Sequence, residues 1–304
     1  MSVEIKPRED RRILGIILTI LAYIGFTTID TCAKWLTLSG MPTMQVVFIR
    51  YAAQFIIVLA IFLPQHGTGL VRSNRLGLEI LRALALLAST ISNFLAVIWL
   101  PLTITSAIMF TQPLILCALS IPFLGERVGW RRLVAILVGF AGVLIIVQPG
   151  TDAFHPAAAL SILSATFGAI YLILTRKLAG VDATGTQHFY TGLVATIAIA
   201  PFAFGAWVWP VDTIGWIALG LIGVAAVLGH QAITVAHRFA PATVLAPFSY
   251  FQIIWMSASS WLIFSQPPTM WLFVGAPIVI GSGLYIWLRE RQLGKTPTVA
   301  DEGV

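Results

Sequence analysis

The sequence predicts an all-α integral membrane protein of ten transmembrane helices, arranged as two inverted five-helix repeats. Hydrophobic residues make up 58% of the chain and charged residues 10%, with a mean hydropathy of +0.92. A water-soluble protein has about 45–50% apolar and 25% charged residues, so a soluble enzyme is excluded. The apolar residues also come in continuous runs, bounded by Pro, Gly and charge, each of membrane-spanning length. Closed β-barrels are the other spanning solution, but their strands alternate apolar with polar residues over about ten positions, and these runs do not alternate. At roughly 20 residues per span, ten spans leave no room in 304 residues for a large soluble domain.

Taken in order, the runs predict helices over 12–36, 42–63, 79–100, 102–123, 130–148, 156–176, 184–206, 212–236, 241–264 and 270–288. The first follows MSVEIKPREDRR. Its run exceeds a signal-peptide core of about 7 to 15 apolar residues and has no clear small-residue cleavage site behind it, so it is expected to stay in the mature protein. Cys32 and Cys117 both sit inside apolar runs and read as packing residues, since two cysteines make neither a disulfide framework nor a Cys-rich metal site.

The net charge of +6 and pI near 9.7 would fit a nucleic-acid partner, but the distribution argues otherwise. Sixteen of the 18 Lys and Arg residues fall in the tails and alternate connections on one side of the predicted bundle. Lys34 stands alone on the other side, and Arg50 lies within a helix. Cytoplasmic loops carry such an excess, so both termini are expected in the cytoplasm, in a cell (inner) membrane. The lipid bilayer and a small molecule are then the expected partners, with no nucleic acid, and the chain is expected as a monomer or homodimer.

The chain also matches itself. A shift of 140 pairs Pro101 with Pro241, Gln112 with Gln252 and Ser120 with Ser260; a shift of 143 pairs Gly25 with Gly168 and Lys34 with Lys177. Five helices per copy is odd, so the second copy enters the membrane from the opposite side. The expected organisation is an N-terminal repeat over 1–150, an inverted repeat over 151–290 and a cytoplasmic tail over 291–304. Such folds hold their site near the midplane between halves and rock one half against the other.

The stretch PLTITSAIMFTQPLILCALSIPFLGERVGWRRLVAILVGFAGVLIIV over 101–147 resembles the signature of the drug/metabolite transporter superfamily, EamA type. It carries a Pro in the fourth helix, the pair Gly125–Glu126 after it, and a Gly-rich fifth helix with Gly139 and Gly142. TIDTCAKWL with Lys34 and FIRYAA with Arg50 resemble the first two helices of that family. The second half departs from the pattern where Ser265 and Gln266 replace the Gly–Glu pair. The resemblance implies ten helices, movement of small metabolites and no ATP hydrolysis, with amino-acid exporters among the members.

Polar side chains at depth are the candidate binding residues, because an unpaired one in lipid costs several kcal/mol. Tyr23, Thr27, Asp30 and Lys34 share one face of the first helix. Asp30 and Lys34, near its outer end, read either as a helical ion pair or as substrate-facing groups. Arg50 reads as a buried bridge to Asp30, a snorkelling side chain, or, with Lys34, the positive field of an outer vestibule that attracts a carboxylate. Gln112 beside Pro113 and its repeat counterpart Gln252, with Tyr250 and Pro247 nearby, form the expected symmetric site, since Pro frees a backbone carbonyl at the midplane. Asn93, Trp99, Thr166 and Tyr171 add neutral donors, acceptors and aromatic faces. Taken singly, each also reads as a helix-to-helix contact. His188 and His230, placed near cytoplasmic helix ends, are candidate titrating groups or simply solvated ones.

No carboxylate is expected at the midplane, so facilitated movement or weak coupling is expected rather than a carboxylate relay. GKT at 294–296 lacks the earlier glycine of a P-loop, with Arg289 in its place, and neither H-E-x-x-H nor G-x-S-x-G occurs. No enzyme activity, cofactor or metal is expected. The sequence reads as a carrier exporting small metabolites, amino acids including aromatic ones foremost. Solute would be held near Tyr23, Gln112, Tyr250 and Gln252 and leave past Asp30, Lys34 and Arg50. An importer or proton-linked antiporter of another metabolite, such as a vitamin or a nucleotide-linked sugar, is the alternative. A non-transporting scaffold or enzyme would lack a central polar cavity.

Overall fold

The structure is a computed structural model that describes residues 12–124, 130–151, 154–178, 180–240 and 242–293. The described residues are helical, with no strand among them. In chain order the helices are α1 (Arg12–Leu38), α2 (Thr43–His66), α3 (Leu76–Trp99), α4 (Leu102–Met109), α5 (Gln112–Leu124), α6 (Trp130–Val147), α7 (Ala158–Leu178), α8 (Thr184–Ala203), α9 (Thr213–Phe239), α10 (Ala242–Leu245), α11 (Gln252–Phe264) and α12 (Met270–Leu293). Eight segments are long and apolar enough to cross a membrane, α4 and the first part of α5 counting as one. The shorter α6 and the α10–α11 segment bring the helical passes to ten.

Two of the helices expected as continuous are broken. The fourth pass stops at Met109 and restarts at Gln112. Pro113 has no N–H to give the Met109 carbonyl, and Thr111 N instead closes a tighter turn on Ile108 O at 2.9 Å. In the ninth pass, α10 runs into a 3-10 stretch over Ala246–Phe251, with proline at its start, before α11 begins at Gln252. Gln112 and Gln252 therefore each open the second half of a broken helix.

Helices pack in pairs drawn from opposite ends of the sequence. α1 lies along α9, α2 along α8, α3 along α7, α6 along α12, and α4 against α11. Small residues permit the close approach, as expected where lipid gives no hydrophobic drive between helices. A Cβ on Gly25 of α1 would fall 3.4 Å from the Gly229 Cα of α9, and one on Gly275 of α12 would fall 2.6 Å from the Gly142 carbonyl of α6.

Because the passes alternate in direction, α1 begins and α12 ends at one end of the bundle, here called basal. Polar clasps hold both ends. Basally, Asp182 after α7 accepts from Ser73 Oγ at 2.6 Å and from the Asn74 backbone N–H at 2.8 Å in the α2–α3 connection. Distally, Gln45 of α2 exchanges two hydrogen bonds with the Val208 backbone, at 2.6 and 2.9 Å. Beside it Trp207 meets Trp209 edge-on and Trp209 stacks on Trp216, where an aromatic belt would meet a membrane surface.

Candidate functional site

A cavity of about 740 Å³ runs between the helices, well within the 300–1,000 Å³ typical of sites for drug-sized ligands. Its lining reaches Gly180, Asp182 and Thr184 in the basal α7–α8 connection, so that end forms the mouth. At its other extreme it reaches Asp30 and Asn93, about 9–12 Å short of the distal ends of α1 and α3 at 1.5 Å per residue.

Lys34 closes the distal end. Its Nζ is fully buried and donates to Leu100 O at 2.6 Å and Gln266 Oε1 at 2.9 Å, with the Phe264 ring 5.2 Å away. Gln266 is aimed by the helix end before it. Ser265 adopts the left-handed conformation at φ 54°, and the Gln266 N–H folds back onto Ser260 O at 2.9 Å. One ammonium thus joins α1, the α3–α4 corner and the connection after α11. Lys34 lies outside the cavity lining and bonds neither Asp30 nor a vestibule, against both readings from the sequence.

Asp30 instead accepts from Asn93 Nδ2 at 2.9 Å. Arg50, 5% exposed, lines the same blind end. Its Nη1 donates to Thr90 Oγ1 at 3.1 Å, and its guanidinium lies 4.5 Å over the Tyr51 ring. Midway along the walls stand Tyr23, Gln112, Gln252 and His230. Gly168 makes room for Gln112, since a Cβ there would fall 2.9 Å from Gln112 Nε2. His230 lies deeper than expected because α9 continues to Phe239, and its ring sits 5.0 Å from Phe26.

At the mouth, Arg82 of α3 binds three helices together. Its Nε donates to Thr175 Oγ1 at 2.8 Å, its Nη1 to Gln187 O at 3.1 Å and Thr191 Oγ1 at 2.9 Å, and its Nη2 to Tyr171 Oη at 2.9 Å. Glu79, fully buried one turn earlier, lies 3.6 Å from Arg82. The sequence reading missed this role and counted Arg82 only as a basic residue near a helix end. The signal was available in its spacing, three residues after an acid on an otherwise apolar helix.

The structure therefore gathers Tyr23, Asn93, Gln112, Tyr171, Gln252, Asp30, Arg50, His188 and His230 around one cavity. Other expected residues lie outside its lining. Thr27 donates to Tyr23 O and Thr166 to Ile162 O, each within its own helix. Trp99 is 64% exposed and stacks on His155. Tyr250 packs on Phe110 at 5.2 Å, with its hydroxyl against Gly283. In these four cases the hydrogen-bonding type was visible in the sequence, but the direction in which the side chain faces was not. Gly125 and Glu126 lie outside the described residues.

Helices of spanning length around a deep polar cavity, with its mouth at the basal end and its distal end sealed at Lys34, define a multi-pass membrane carrier. The comparisons agree. Residues 13–148 match the EamA-like transporter family, and that match over the first half, with transporters similar along nearly the whole chain, supports a membrane transporter of the EamA type. It is 28% identical over 294 residues to a riboflavin transporter of Vibrio cholerae, covering 96% of this chain and 97% of that one. An S-adenosylmethionine uptake transporter of Rickettsia felis is 26% identical, with 90% and 92% covered. A pseudopaline exporter of Pseudomonas aeruginosa is 28% identical, with 88% and 93% covered. A crystal structure 18% identical in sequence shares the fold at a TM-score of 0.60, covering 90% of this chain and 98% of that one. None of these relatives is named for amino-acid export, the substrate expected from the sequence.

Proposed function

We propose that this chain is an uptake carrier for a mid-sized, planar heteroaromatic metabolite of the riboflavin kind. It works by alternating access between two inverted halves, residues 1–150 and 151–290. The observation that carries the reading is the cavity, whose 740 Å³ far exceeds what a single amino acid fills. Aromatic and aliphatic walls suit a flat ring system, and Gln112, Gln252 and Asn93 offer neutral amides to its polar edges. The full-length likeness to riboflavin transporters points the same way, and the direction proposed follows the relatives named for S-adenosylmethionine uptake rather than the expected amino-acid export.

The helix pairing supports the inverted halves. Counting passes from one to ten, the first pairs with the eighth, the second with the seventh, the third with the sixth, the fourth with the ninth and the fifth with the tenth. Exchanging each pass with the one five places away leaves that set unchanged, as two copies related by a two-fold axis require. The breaks before Gln112 and Gln252 also fall at matched positions. The excess of Lys and Arg supports a cytoplasmic basal end, and on that orientation this conformation opens inward with Lys34 sealing the outer face.

Flux of labelled riboflavin in proteoliposomes tests the reading. Saturable uptake with counterflow is expected, reduced in Gln112→Ala and Gln252→Ala. Flux no greater than in protein-free liposomes would overturn it.

A further inference from the structure

The blind end of the cavity brings together three hydrogen-bonding side chains from three helices: Asp30 of α1, Arg50 of α2 and Asn93 of α3. Each is held by contacts that leave part of it unused. Asn93 gives one amide hydrogen to Asp30 Oδ1, which fixes the amide with its nitrogen toward the carboxylate and leaves a second N–H. Asp30 Oδ2 accepts no hydrogen bond among the described residues. Arg50 is clamped between Thr90 and the Tyr51 ring, and the Tyr51 hydroxyl shares the same Thr90 oxygen at 2.8 Å. Its Nε–H is sealed inside that clamp, but Nη2 makes no hydrogen bond among the described residues, and Arg50 lines the blind end.

The three unused groups form a donor, an acceptor and a donor. We propose that Arg50, Asp30 and Asn93 read the cyclic imide edge of a planar heteroaromatic ligand, the carbonyl–NH–carbonyl array. Asp30 accepts the imide N–H, while Arg50 and Asn93 donate to the flanking carbonyls. Phe26 and Phe94, lining the same cavity, give the ring its apolar contact. The assignment rests on the heteroaromatic reading above and adds the atoms that orient the ligand. It also explains why opposite charges sit together at the end of a site for a neutral solute: the imide needs both an acceptor and donors. A ligand without the imide hydrogen would turn a lone pair or a methyl group toward a carboxylate, which a site built to hydrogen-bond rejects strongly.

The test is binding to the purified full-length chain in nanodiscs, with riboflavin, N3-methylriboflavin, uridine and methionine as probes. Methylation at N3 is expected to weaken flavin binding by at least about ten-fold, the loss that follows from leaving one buried hydrogen-bonding group unpaired. In Asp30→Ala, and in the closer-shaped Asp30→Asn, the ratio between the two flavins should fall toward one. The ratio is read within each variant, so a general loss of affinity does not mimic the effect. A wild-type ratio near one overturns the imide assignment whatever the variants do, and leaves the riboflavin reading standing. Competition by methionine with no effect of N3-methylation would assign the trio to a zwitterion instead. If neither riboflavin nor uridine binds, both readings fall.

Discussion

Replacing Lys34 with Met keeps the length of the side chain and removes its charge, which tests whether one ammonium holds the distal end shut. The structure sets the scale. Lys34 Nζ makes two hydrogen bonds, at 2.6 and 2.9 Å, and hydrogen bonds to charged groups contribute about 1.5–3 kcal/mol each. Burying the ammonium offsets part of that sum, and a net of about 2–3 kcal/mol remains for the clasp. The closed-to-open ratio at the distal end should then fall about 30- to 150-fold. The assay is labelling of Asn93→Cys by a membrane-impermeant maleimide applied from the distal face, with Cys32 and Cys117 replaced by Ala. Because Asn93 lies at the blind end of the cavity, reagent from that face reaches it only when the clasp opens. Lys34→Met should speed labelling by tens of fold. An unchanged rate, with the protein still folded, would refute the assignment of Lys34 as the distal clasp.

Three further outcomes follow from the geometry. Arg82→Gln leaves Glu79 buried without its countercharge, and breaking a buried pair in this way costs about 3–5 kcal/mol; thermal unfolding in detergent should fall sharply and partly recover in the double variant with Glu79→Gln. Gly168→Ala puts a Cβ 2.9 Å from Gln112 Nε2 and pushes that amide aside, so transport affinity should drop by about 2- to 12-fold, the worth of one neutral hydrogen bond, at an unchanged melting temperature. Burial raises the Asp182 carboxyl, but hydrogen bonds from Ser73 and Asn74 outweigh it and hold the group below its ordinary value of 3.8. Its stabilisation is therefore present above the ordinary aspartate range and lost as pH falls through the lower folded value. Wild type should melt above Asp182→Asn at neutral pH, and the gap should close under strong acid; a gap independent of pH would contradict this.

The class of protein was legible because it depends on local quantities. Run length, composition and the side bias of Lys and Arg need no knowledge of neighbours, and they yielded the helical membrane class. Pro113 predicts one freed carbonyl within a continuous fourth helix, because a missing N–H acts within one turn; that the helix breaks there outright was not legible. Legibility failed where a side chain chooses among partners. Lys34 and Asp30 stand four residues apart on one helix, the spacing of an ion pair, yet Lys34 bonds groups at positions 100 and 266, and Asp30 bonds Asn93. Thr27 and Thr166 satisfy themselves on their own helices, an option that composition does not distinguish from lining a cavity.

By itself, then, the sequence determined that this chain spans a membrane as a bundle of helices and which polar side chains were candidates to lie at depth. Tertiary structure alone decided which of those side chains share a cavity, which end is sealed and by what. The physical reason is that lipid imposes its demand on every residue separately, whereas a buried charge is satisfied only by whichever groups from other helices the packing brings within hydrogen-bond reach.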